Sequence, residues 1–155
     1  MLSLLLKLIL ITFGLILGWF LPDLEALITA FWVEREHHIS QMIRSYYKDR
    51  KFRLLQFYWV QNRREHQSLI IHSSFFQLIF IVFSFYIISS SGSVLVSFLC
   101  LSTLGRLFYE QYLDYKKGVL KTWFWAINVP LTLRFYKVYF GALSIIYLFL
   151  VYLAF

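Results

Sequence analysis

The chain has 155 residues, of which 60% are hydrophobic and 21% aromatic but only 15% charged, and it carries a net charge of +7. A soluble domain averages roughly 45–50% apolar and about 25% charged residues, and a small one has too little interior to hide the excess. The composition therefore excludes a soluble globular enzyme and a disordered chain; with Cys100 as its one cysteine it also excludes a disulfide scaffold and a cysteine-ligated zinc site.

What remains is an all-α, polytopic membrane protein, read as a single membrane domain over residues 1–155 with four transmembrane helices and cytoplasmic amphipathic helices between them. Span one is Leu2–Leu21, with Lys7 as its only charge. Its apolar core is long and no small-x-small cleavage site follows it cleanly, so it reads as a retained span rather than a signal peptide. Within it, Gly14 and Gly18 form a G-x-x-x-G face that lets a second helix approach closely. Interfacial helical structure is expected over about 22–60. Pro22 suits a first helical position, Asp23 and Glu25 suit a positive first turn, and Leu24, Leu27, Ile28, Phe31, Trp32, Ile39, Met42, Ile43 and Tyr46 recur at helical spacing. Phe52, Leu55 and Trp59 suggest a second, shorter piece.

Span two is Ser68–Ser89, with His72 one turn inside it, and span three is Ser93–Tyr109, uncharged until Arg106. The short uncharged linker Ser89-Ser90-Ser91-Gly92-Ser93 makes these two an antiparallel hairpin. A further interfacial segment is expected over about 119–133, interrupted by Asn128 and Pro130, before span four, Val138–Phe155.

Arginine and lysine are concentrated in Glu34–Gln67 and Gln111–Lys137, which the positive-inside rule places in the cytoplasm, with both termini outside an inner, multi-pass membrane location. Lys7 snorkels from one turn inside span one. Because the basic residues adjoin spans, anionic lipid headgroups are the expected partners, alongside self-association or a membrane partner, and not nucleic acid.

Ionisable groups at membrane depth are costly and need an account. In this topology Asp23 and Glu25, His72, and Arg106 with Glu110 all lie at cytoplasmic span ends, so one layer of the membrane gathers carboxylates and an imidazole. Those are oxygen and nitrogen donors suited to a divalent Zn, Mg or Mn ion, able to activate water. Each group also has a structural reading: Asp23 and Glu25 complement a helix N-terminus, Arg106 and Glu110 form an i, i+4 ion pair, and His72 bonds a neighbouring helix.

The segment Gly18-Trp19-Phe20-Leu21-Pro22-Asp23-Leu24-Glu25 resembles the G-x-x-x-P-D-x-D signature of a family of small, LexA-regulated, inner-membrane-associated, metal-dependent hydrolase-like proteins. His72-Ser73 resembles that family's His-Ser pair opening a later span, and Arg106-Leu107-Phe108-Tyr109-Glu110 stands where the family has a histidine and an aspartate separated by three residues. Gly118 followed by Pro130 is similar to its glycine and aromatic-proline segment, so the likeness covers roughly Gly14–Leu133. The resemblance implies a metal-dependent hydrolase with Asp23, Glu25, His72 and Glu110 as catalytic or metal-ligating groups; at headgroup depth a phosphate or ester of a lipid-like substrate is the natural target, with Arg106 binding its anionic group. The departure is Arg106: a guanidinium has no acceptor and cannot ligate. That substitution favours the alternative, a non-catalytic membrane scaffold or subunit whose polar cluster is a structural ion-pair network.

Overall fold

The computed structural model describes residues 2–28, 31–32, 38–54, 70–90, 93–125 and 132–154. Its elements are α1 (Leu2–Ile28), α2 (His38–Lys48), α3 (Ser74–Ser89), α4 (Val94–Lys116), a 3-10 turn (Leu120–Phe124) and α5 (Leu133–Ala154), with no strand among the described residues. Two of these helices are long and apolar enough to cross a membrane: Ser3–Glu25, of mean hydropathy 2.4, and Arg134–Ala154, of mean hydropathy 1.8. Both are only 11% buried, the opposite of a soluble core helix. The second interfacial piece through Leu55 and Trp59, the middle of the serine linker and the Asn128–Pro130 interruption lie outside the described residues.

The chain divides into two compact units, one of Met1–Pro22 with His72–Phe155 and one of Asp23–Ile71. In the first, α3, α4 and α5 pack on one another. Ile88, Phe98, Leu101, Leu104 and Leu150 form the buried core, with Ile11 of α1 and Phe80 of α3 against it. Ile88, near the end of α3, meets Phe98, near the start of α4, while His72 ahead of α3 reaches Glu110 late in α4, so these two helices run antiparallel.

The glycines of α1 fit it against α4. A Cβ on Gly14 would lie 2.5 Å from the Leu95 carbonyl oxygen, and one on Gly18 would collide with the Leu99 carbonyl oxygen. The obstacles are backbone atoms that cannot swing aside, so only glycine allows this approach. Across the seam Ser102 Oγ donates to the Leu15 carbonyl at 2.6 Å.

Four boundaries differ from the sequence expectation, each for a local reason. Pro22 does not open a new helix; it is fully buried inside α1, which runs on to Ile28. Proline has no N–H to give the carbonyl four residues back, here that of Gly18. Thr103 Oγ1 lies 3.1 Å from that oxygen and 2.9 Å from the Leu99 carbonyl, sharing its proton between them. The donor lost at Pro22 is replaced from α4.

Second, α3 begins at Ser74, because the Ser73 hydroxyl caps it by accepting the Phe76 N–H at 3.1 Å. His72 therefore precedes the helix rather than lying a turn inside it. Third, α4 continues past Tyr109 to Lys116, where Gly118 (φ +71) ends it. The Val119 N–H bonds the Asp114 carbonyl and the Gly118 N–H the Tyr115 carbonyl, closing a Schellman turn. Fourth, α5 starts at Leu133, ahead of the expected Val138.

In the second unit, α2 is strongly amphipathic, as its sequence spacing implies. Ser40 and Ile43 are fully buried while Gln41, Ser45 and Lys48 are exposed. Its end is stapled by ring contacts of Tyr47 with Phe31 at 5.4 Å and Phe52 at 6.1 Å.

The Thr103 bridge makes an energetic prediction. Thr103→Val strips the Gly18 carbonyl of its donor and is expected to cost about 1–3 kcal/mol. Pro22→Ala restores an N–H within α1, so in that background Thr103→Val is expected to cost markedly less. Thermal unfolding in detergent of the two single variants and the double checks this; additive losses would refute the bridge.

Candidate functional site

The polar groups of the first unit gather where the start of α3, the second half of α4 and the first turns of α5 meet. Glu110 is central, with 1% of its side chain exposed. Arg106, one turn earlier on α4, donates from Nη2 to Glu110 Oε1 at 2.7 Å. His72, from the turn ahead of α3, lies with Nε2 2.9 Å from Glu110 Oε2. Facing a carboxylate oxygen, Nε2 is the nitrogen that carries the hydrogen and donates. Both carboxylate oxygens are thus engaged, one by a permanent cation and one by an imidazole.

Aromatic faces hold the two partners in place. The Arg106 guanidinium sits over Trp19 of α1 at 4.9 Å, a cation–π contact that fixes its plane while it reaches Glu110. The His72 ring lies 5.7 Å from Trp123 of the 3-10 turn. Trp123 is 2% exposed and donates its indole N–H to Asp114 Oδ2 at 2.9 Å. Asp114, itself 5% exposed, therefore anchors the wall behind His72.

Beside this cluster runs a neutral relay. Gln111 Nε2 donates to the Tyr139 hydroxyl at 3.0 Å, and that hydroxyl donates to Gln77 Oε1 at 2.8 Å, so one tyrosine links α3, α4 and α5. Gln77 and Gln111 are almost wholly buried. Gln111 Oε1 and Ser74 Oγ are buried without a hydrogen-bond partner among the described residues, so the layer keeps spare acceptor capacity.

The structure brings together three of the residues singled out from sequence, His72, Arg106 and Glu110. The other two, Asp23 and Glu25, belong to the second unit. There Glu25 Oε1 accepts the backbone N–H of Ile71 at 2.8 Å, a tie that orders the chain just ahead of His72. Gln77, Gln111, Tyr139, Asp114 and Trp123 were not anticipated. An account of costly polar groups confined to ionisable ones passes over the amide of Gln77, although an amide within an uncharged span was the available signal. Tyr139 has the flanking position of an interfacial anchor, and only the packing of α5 gives it a partner on each side.

A zinc ion takes three or four protein donors. The cluster offers one imidazole nitrogen and one carboxylate, and Arg106 fills the position beside it with a group that cannot ligate. Among the described residues no three His, Cys, Asp or Glu side chains form a group that could hold a metal ion. The cluster by itself does not fit a resident zinc ion. What it does chemically is neutralise and immobilise a buried carboxylate while holding an imidazole in a fixed orientation. No protein family model matches the chain, and neither a curated protein nor a solved structure shows significant similarity to it.

If the network is an ion pair that locks helices, removing one member costs more than removing both. Arg106→Met leaves Glu110 buried without its cation and is expected to lower stability by about 3 kcal/mol. Arg106→Met with Glu110→Leu should recover most of that loss, leaving about 1 kcal/mol for the His72 bond. Thermal or denaturant unfolding of the singles and the double measures the coupling.

Proposed function

We propose that this chain is a four-span membrane protein that acts as a non-catalytic scaffold or subunit, with Arg106, Glu110 and His72 as a structural ion-pair network. The observation that carries this reading is that both oxygens of the buried Glu110 are already engaged, by Arg106 and by His72. Each oxygen thus already carries a donor, and Arg106 puts a permanent cation with no acceptor beside the carboxylate, where a metal ion would have to compete with it. The crossings are α1, α3, α4 and α5. With 16 residues, α3 is about 24 Å long, shorter than a hydrocarbon core of about 30 Å, and its pairing with α4 supports it there. The basic segments lie on the cytoplasmic side of an inner membrane, where anionic headgroups and a helix of a partner or second copy are the natural contacts.

A second reading, a membrane-embedded hydrolase-like protein, is favoured by one observation, the His72–Glu110 contact at 2.9 Å. A carboxylate that orients an imidazole is the arrangement of a general base. In that reading His72 takes a proton from water attacking a phosphate or ester of a lipid-like substrate, and Arg106 holds the anionic group. The likeness of Gly18–Glu25 to the hydrolase-like signature belongs to this reading, as does the divalent metal that the likeness implies.

Two sets of measurements test these proposals, one for chemistry and one for topology. Elemental analysis and assays of phosphate- and ester-lipid hydrolysis should find substoichiometric metal and no turnover in purified protein. Metal or turnover that disappears in His72→Ala would overturn the scaffold reading. For topology, carbonate washing should leave the chain in the membrane. A cysteine at Ser90 should react with an impermeant maleimide from outside, and one at Lys117 only after permeabilisation. Native Cys100, 1% exposed, gives little background. Equal labelling of both positions in intact cells would rule out this topology.

A further inference from the structure

At the seam of α4 and α5 the chain forms a groove of about 500 Å³, within the roughly 300–1,000 Å³ typical of ligand sites. Its walls are rings locked against one another: Tyr115 meets Tyr136 at 5.7 Å and Phe140 at 5.5 Å, and Phe108 meets Phe140 at 5.8 Å. Lys137 is the one charged residue among its lining, and Ser144 lies about 10 Å deeper along α5. Tyr112 forms the other lip, with the Lys116 ammonium 4.7 Å from its ring. The groove therefore runs from a basic, hydroxyl-bearing mouth into an apolar interior.

The charge around that mouth is unbalanced. Lys117, Lys121 and Arg134 lie on the adjoining segments, and none of these five cations is paired with an acidic side chain among the described residues. Asp114, the one acid in this stretch of sequence, is buried and accepts the Trp123 indole N–H. The mouth needs an anion and the interior needs a hydrocarbon chain. A second copy of this chain, with its own net charge of +7, does not supply the anion.

We propose that this groove binds one anionic phospholipid, its phosphate held by Lys116 and Lys137 and an acyl chain lying along Phe108 and Phe140 toward Ser144. The assignment rests on the membrane reading above and is independent of whether Glu110 and His72 are catalytic. It explains why the aromatic walls are braced by ring contacts around open space instead of collapsing into it. A zwitterionic lipid fills the apolar part equally well and carries the same phosphate, but its ammonium sets a positive charge against Lys116 and Lys137, so the mouth favours a headgroup of net negative charge.

Native mass spectrometry of the full chain, released from detergent with equal amounts of phosphatidylglycerol and phosphatidylcholine of the same acyl chains, tests it. One retained phosphatidylglycerol is expected, favoured about tenfold over phosphatidylcholine. Lys116→Gln with Lys137→Gln should bring the two to parity, and Ser144→Trp should reduce retention of both at unchanged helix content by circular dichroism. Lys48→Gln with Lys51→Gln should leave the preference intact. Glycerol 3-phosphate in millimolar excess should not displace the lipid. Equal retention by the wild type, an equal loss in the Lys48 and Lys51 control, displacement by glycerol 3-phosphate, or a dimer that excludes lipid would each overturn the assignment. Failure of the membrane reading is separate: carbonate would then release the protein, whereas a lost lipid preference in carbonate-resistant protein refutes the groove alone.

Discussion

Glu110 has lost nearly all contact with solvent, and a carboxylate in that position destabilises a fold by several kcal/mol unless something replaces its water. Arg106 and His72 do so, from the same helix and from the turn ahead of α3. The pairing sets the register of α3 against α4. Sliding one past the other by a single turn would part His72 from Glu110, since only Arg106 travels on the same helix as the carboxylate. Trp19 and Trp123 then become necessary as well, since each holds one of the two partners at the angle the carboxylate requires.

The same shortage of water explains the rest of the first unit. The Gly18 carbonyl, deprived of its helical donor by Pro22, is met by Thr103, and the Leu15 carbonyl by Ser102. Gln77 and Gln111 are linked through Tyr139. Small hydroxyl residues on α4 thus serve a double purpose: they let α1 approach closely, and they satisfy backbone groups that an apolar surrounding cannot. Apolar packing supplies cohesion, while the polar contacts choose one arrangement among the many that interchangeable leucines and phenylalanines would tolerate. For function, the consequence is that polar groups are concentrated in one layer and are largely committed to one another, whereas the aromatic groove between α4 and α5 retains open space and unanswered positive charge.

Much of this was legible in the chain itself. The expected apolar stretches 2–21, 68–89, 93–109 and 138–155 each fall largely on a helix, Leu2–Ile28, Ser74–Ser89, Val94–Lys116 and Leu133–Ala154, and the amphipathic α2 follows from its spacing. Gly14 and Gly18 announced the close contact of α1. The grouping of Arg106 and Glu110 follows from i, i+4 spacing, and that of His72 with them from the hairpin. Pro22 misled: as a sequence symbol it marks a helix start, and only a hydroxyl supplied from 81 positions later makes it compatible with a helix interior.

Sequence alone determined that this chain is helical and apolar, and which residues were too polar to be left unaccompanied. Those are local properties, set by side-chain chemistry and by spacing along one polymer. The tertiary structure decided who accompanies whom: Thr103 with Gly18, Tyr139 between two glutamines, Trp123 with Asp114, and Arg106 and His72 with the two oxygens of Glu110. It also decided where space is left over, in the groove below Lys137. Partnership and vacancy depend on helices meeting at one register and one distance, and a linear pattern carries no record of either until the chain has packed.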